Sequence, residues 1–191
     1  MDTYHVVLYG HFLALLVGIG AATIIAACLF QLRAAQTVAD AAPWGMLAGE
    51  AEKVFPIAIL GLFGTGAYMT SDVWTWSTRW IDVAIAVLVL LTVLGAGVAG
   101  RRARMLKHAL MENGPGPLGE KARKLTCDPA LWILSFANPG MVLGVIWNMT
   151  QKPGLGGSIA AVAGGFAVGA ALGLRLGRAP AIEAAPVGEP A

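Results

Sequence analysis

His11 falls inside an apolar run, and Ala14, Gly18, Ala22 and Ala26 share its helical stripe. A stripe of small residues marks a helix face packed on protein rather than on lipid, so the imidazole is expected to point into a bundle. Two readings follow. The ring is a structural hydrogen-bonding group facing a neighbouring carbonyl, or it ligates haem iron or copper or carries a proton. A ligand needs companions. His5 precedes His11 by six residues, which turns it roughly 120° away on an ideal helix, and it reads as interfacial. His108 belongs to a basic connection on the opposite side of the bilayer. The soft donors inside spans are Met69, Met141, Met149 and Cys28, and a methionine there either fills packing gaps or supplies a second axial ligand. His11 and Met69 are therefore the candidate metal pair, with His11 the candidate haem ligand.

The other polar residues admit structural readings beside functional ones. Asp82 stands three residues after Arg79, a helical pairing distance, or takes up protons from outside. Asn138 precedes Pro139 and Gly140, where it satisfies carbonyls freed by a kink or lines a small cavity. Asn148 and Lys152 close the same run, and a lysine there snorkels to the interface. No Ser-His-Asp set, paired catalytic carboxylates, CxxC pair or phosphate-cradling loop is present, so no catalytic residue is assigned. An enzyme built from these residues would be a membrane oxidoreductase.

The elements that must position these residues are membrane helices. A chain of 191 residues that is 57% hydrophobic and 13% charged cannot hide its apolar surface in one small water-soluble core. The apolar runs predict an all-α membrane protein of five spans in one bundle. They cover about 4–32, 54–69, 80–100, 129–149 and 156–174, each near the roughly 20 residues that a bilayer requires. Residues 1–178 form that single domain, and the Pro- and Ala-rich stretch 179–191 reads as a disordered tail. The second run is short, which predicts a start before Glu50 or little tilt. Asp128-Pro129 reads as an N-cap followed by proline in the first turn.

When the five runs alternate sides, every Lys and Arg except Arg79 and Lys152 collects on one side. The excess of basic residues marks that side as cytoplasmic, placing the amino end outside and the carboxyl end inside. Trp74, Trp76 and Trp80 read as an interfacial belt at the outer surface. The net charge of +2 is too small to suggest nucleic acid. Cys28 and Cys127 fall near reducing, cytoplasmic helix ends, which argues against a disulfide. Ile25-Ala26-Ala27-Cys28 mimics a lipoprotein cleavage site, but no Lys or Arg precedes the apolar run, so an uncleaved span is expected.

The fifth run places Gly165, Gly169, Gly173 and Gly177 four residues apart on one face. That spacing predicts close helix packing, and offers a surface to a membrane-protein partner or a second copy of the chain.

The chain also resembles a broad group of small bacterial integral membrane proteins. This group includes copper-resistance D-type proteins, haem-dependent membrane protoporphyrinogen oxidase and uncharacterised relatives. The resemblance spans about residues 4–155. It is carried by Tyr9-Gly10-His11-Phe12, Phe55-Pro56, Gly64-Thr65-Gly66, Trp80-Ile81-Asp82, and the phrase from Ile146 to Pro153 ending in Lys152-Pro153. The resemblance implies that His11 occupies the place of a haem-binding histidine and that haem b is the candidate cofactor. The second histidine of that pattern is missing, since the stretch from Val83 to Gly100 contains none. The copper-handling relatives favour several Met and His donors near the outer surface, where this chain has His5, His11 and Met69. It is most similar to the uncharacterised relatives, which implies a bacterial inner membrane, and with the glycine face of the fifth run the leading reading is a non-catalytic membrane component or assembly partner there. A haem-associated redox protein using His11 and a copper-handling permease using a break of the fourth helix at Asn138-Pro139-Gly140 as a midplane site are the alternatives.

Overall fold

The computed structural model describes residues 2–112, 114 and 116–178, and those residues are helical with no β-strand among them. The tail 179–191 lies outside the described residues, as do Asn113 and Pro115. The helices are α1 (Thr3–Ala34), α2 (Val38–Glu52), α3 (Phe55–Asp72), α4 (Arg79–Thr92), a π-helical segment (Val93–Ala99), α5 (Gly100–Glu112), α6 (Glu120–Thr126), α7 (Pro129–Gln151) and α8 (Leu155–Arg178). They make up five stretches long and apolar enough to cross a membrane. Within each stretch the most apolar window buries between 11% and 39% of its residues inside the chain. Large apolar side chains stand exposed along them, as at Leu16, Ile57, Leu60 and Val168. Only lipid can cover so much apolar surface.

Several boundaries differ from those the apolar runs suggest. The second stretch extends from Val38 to Asp72, because α2 leads into α3 across the short break at Lys53 and Val54. Pro56, in the first turn of α3, lacks a backbone N–H where none is needed. The third stretch does not stop at Arg101. Helical backbone continues through the π segment and α5 to Glu112, so the arginines lie on a helix instead of in a loop. The fourth helix starts as expected, with the Asp128 carboxylate accepting from the backbone N–H groups of Ala130 and Leu131. It then runs unbroken through Asn138-Pro139-Gly140 to Gln151.

Proline at 139 removes a donor that the Ser135 carbonyl would otherwise receive, and α8 packs closely along α7 beside it. A Cβ added at Gly140 or Gly165 would overlap the other glycine's carbonyl. One added at Gly144 would stand 2.7 Å from the Ala161 oxygen, and one at Gly173 would stand 2.5 Å from the Trp132 oxygen. Only hydrogen fits between the two backbones. The glycine face of α8 therefore lies on α7 of its own chain, and Gly169 and Gly173 are buried there. A partner docking on these glycines, as expected from their spacing, would have to displace α7, because the close approach that makes them attractive is already used.

α1 and α3 form the second pair, with Ala14 against Gly61 and Gly18 against Ala58. At the end that gathers the basic residues, α2, α5 and α6 fold over the tip of α1. Leu32, Ala35, Ala41, Leu106, Leu110 and Leu118 build a small core there. Residues 37 and 117 meet in an isolated antiparallel bridge, and the Gln36 carbonyl accepts from Leu118 N–H at 2.9 Å. Two sequence-distant connections thus become one cap.

Candidate functional site

His11 reaches its position because α1 and α3 approach closely at small residues. Gly10 faces the Thr65 methyl, and a Cβ at Gly66 would touch the His11 ring at 3.6 Å. The ring is 7% exposed. Its Nδ1 lies 2.8 Å from the Thr65 hydroxyl, which in turn donates to the Gly61 carbonyl at 2.5 Å. The single hydroxyl proton is committed to that carbonyl, so Thr65 can only accept from the imidazole. We assign the Nδ1–H tautomer on this ground, leaving the lone pair on Nε2. A histidine with one nitrogen anchored by an acceptor and the other carrying its lone pair has the arrangement of an oriented ligand. It equally satisfies a buried polar side chain without any ligand.

The remaining sequence candidates are dispersed. Met69 lies one helical turn beyond Thr65 on α3 and is half-buried, placing it on the same helix pair as His11. His5 is exposed and stands 3.8 Å from Asp2. His108 is exposed on α5 at the other end of the molecule. No histidine of this chain completes a bis-histidine pair with His11. Among the described residues, no three or more His, Cys, Asp and Glu side chains converge to hold a metal ion. Cys28 is buried near the capped end of α1, and Cys127 is exposed. Arg79 and Asp82 approach to 3.9 Å with both side chains largely exposed, a weak surface pair.

Two polar features of α7 have no simple sequence signal. Asn148 is fully buried and donates its side-chain amide to the Ser158 carbonyl at 3.1 Å, tying the end of α7 to the start of α8. The side-chain oxygens of Asn148 and Asn138 are buried without a hydrogen-bond partner among the described residues. Trp132 is fully buried at the other end of α7, where its indole N–H donates to the Thr126 carbonyl at 2.9 Å. Arg33 places its guanidinium 5.2 Å from the Trp132 ring centroid and donates to the Leu176 carbonyl at 2.5 Å. One arginine joins α1, α7 and α8. Its pattern is visible only in three dimensions, since 143 residues separate donor and acceptor.

At the end opposite the cap, Trp74 and Trp80 meet edge to face at 5.6 Å. The Lys152 ammonium sits 4.6 Å from the Trp74 ring centroid. Lys152 itself adopts a left-handed conformation, φ 49°, closing α7 with its N–H on the Asn148 carbonyl. The aromatic connection and the α7–α8 turn thus share one surface.

Comparison with known proteins finds no matching family model, no matching curated sequence and no matching solved structure.

Proposed function

We propose that this chain is a non-catalytic multi-pass component of a bacterial inner membrane, and an assembly partner there, with its amino end outside and its carboxyl end in the cytoplasm. The observation that carries the reading is the basic cap. Apart from Arg79 and Lys152, the Lys and Arg residues sit on the end of the molecule formed by α2, α5, α6 and the close of α8. An excess of basic residues in short connections is retained on the cytoplasmic side. Support for a structural role comes from α7, where buried Trp132 contacts α1 and α6 and buried Asn148 ties to α8. Periplasmic and cytoplasmic reporters fused in turn to each terminus test the orientation. The expected result is an exported amino end and an internal carboxyl end; both termini on one side overturns it.

A second reading is a haem-associated redox protein, in line with the resemblance to haem-dependent membrane proteins. The ordered His11 imidazole favours it, with the lone pair on Nε2 and Met69 on the adjoining helix. Absorption spectra of protein purified from haem-supplemented cells decide it. A Soret band that His11→Ala abolishes supports this reading, and its absence from the wild type removes it. The copper-handling alternative rests on the same two residues, and metal analysis after growth in copper tests it.

A further inference from the structure

Where the π segment passes into α5, the chain opens a groove against α6 and the start of α7. Gly97, Val98, Met105 and Leu125 form its apolar floor, and its volume is about 270 Å³. Met105 and Leu125 continue into a neighbouring groove of about 400 Å³, bounded by Glu120, Lys121 and Lys124. An apolar floor thus meets a rim in which basic residues outnumber acidic ones, at the end of a long apolar stretch.

The charges on this rim are unevenly committed. Arg102 pairs with Asp128, which also caps α7, so that ion pair belongs to the fold. Arg101, one residue earlier, has no hydrogen-bond or ion-pair partner among the described residues and is exposed. Lys124 pairs with Glu120 and Lys121 with Glu112, but all four side chains are more than 60% exposed. Pairs so exposed are worth little and exchange readily for a stronger anion. The floor is open as well. A Cβ built at Gly97 or Gly95 would meet nothing within 4 Å, and the neighbouring Val93 and Val98 face outward.

We propose that this groove seats the headgroup end of an anionic phospholipid, its phosphate between Arg101 and Lys124 and its first acyl carbons on Gly97, Val98, Met105 and Leu125. Charge complementarity selects an anion, and the apolar floor continuous with the lipid-facing π segment selects one that carries acyl chains. This rests on the spans lying in lipid and is independent of the sidedness proposed above.

The test uses the full chain purified in detergent. Native mass spectrometry reads lipid retention with phosphatidylglycerol or with phosphatidylcholine of the same acyl chains. Wild type should retain phosphatidylglycerol in preference to phosphatidylcholine. The double variant Arg101→Gln, Lys124→Gln should weaken that retention roughly tenfold or more, given the attraction of each basic residue near a headgroup. Gly97→Phe should lower retention with the charges intact, whereas Arg79→Gln, at the other end, should not. Equal retention of the two lipids, or a double variant that holds phosphatidylglycerol as wild type does, overturns the proposal. So does inorganic phosphate displacing the lipid at millimolar concentration, which would mark a site for the free anion.

Discussion

The Nδ1 of His11 and the hydroxyl of Thr65, 54 positions apart in the chain, lie 2.8 Å from each other across the α1–α3 contact. The hydroxyl accepts from that buried nitrogen, and its own proton goes to the Gly61 carbonyl.

Thr65→Val keeps the shape of the side chain and removes the acceptor. It should cost about 1–3 kcal/mol, the usual penalty for stranding a buried donor. Thr65→Ser should return most of that loss, because the hydroxyl is retained. Equilibrium unfolding of the three proteins in a fixed detergent measures the difference. Equal stability of the valine variant and wild type would show that the imidazole does not depend on Thr65.

Gly169→Leu brings a side chain into the Phe136 carbonyl and the Ala137 Cα, against which glycine makes its contact. Because backbone cannot yield as a flexible side chain can, the α7–α8 pair must separate, and most of the protein should be lost to aggregation. Gly164→Ala, at a position where an added Cβ meets nothing within 4 Å, should be neutral or stabilise by about 0.5–1 kcal/mol through helix propensity. Size-exclusion profiles and thermal unfolding separate the two outcomes. A well-folded leucine variant of altered mass would instead make the glycine face an interface between chains.

Arg33→Ala removes both the hydrogen bond to the Leu176 carbonyl and the contact with the Trp132 ring. The expected loss is about 1.5–3 kcal/mol, the range for a hydrogen bond to a charged group. Arg33→Lys should recover part of this, since an ammonium supplies the charge but not the planar group that stacks on indole. Tryptophan fluorescence during unfolding follows both variants. Identical curves for alanine and wild type would exclude Arg33 as a tie between α1, α7 and α8.

Thr37 and Asp40 close a reciprocal cap at the start of α2, each side chain accepting from the other's backbone N–H at 3.1 Å. Thr37→Ala or Asp40→Ala should each lower stability by about 0.5–2 kcal/mol. The double variant should lose less than the sum, because the two bonds belong to one motif. Strict additivity in a double-mutant cycle would show that the two caps act independently.

The apolar runs alone announced five membrane helices, since a stretch of about 20 residues without charge has few other solutions in water. Asp128-Pro129 likewise declared the start of α7, because an N-cap and its proline act within one turn. Such features are local. Tertiary structure decided that the glycines of α8 meet α7 of the same chain, that α7 passes Pro139 unbroken, and that the cap unites α2, α5 and α6 around Leu32 and Leu106. It also decided that His11 answers to Thr65 and that Arg33 reaches Leu176. Periodicity names the face a helix presents, but which neighbour fills it depends on contacts between residues far apart in sequence, and these exist only once the helices have packed.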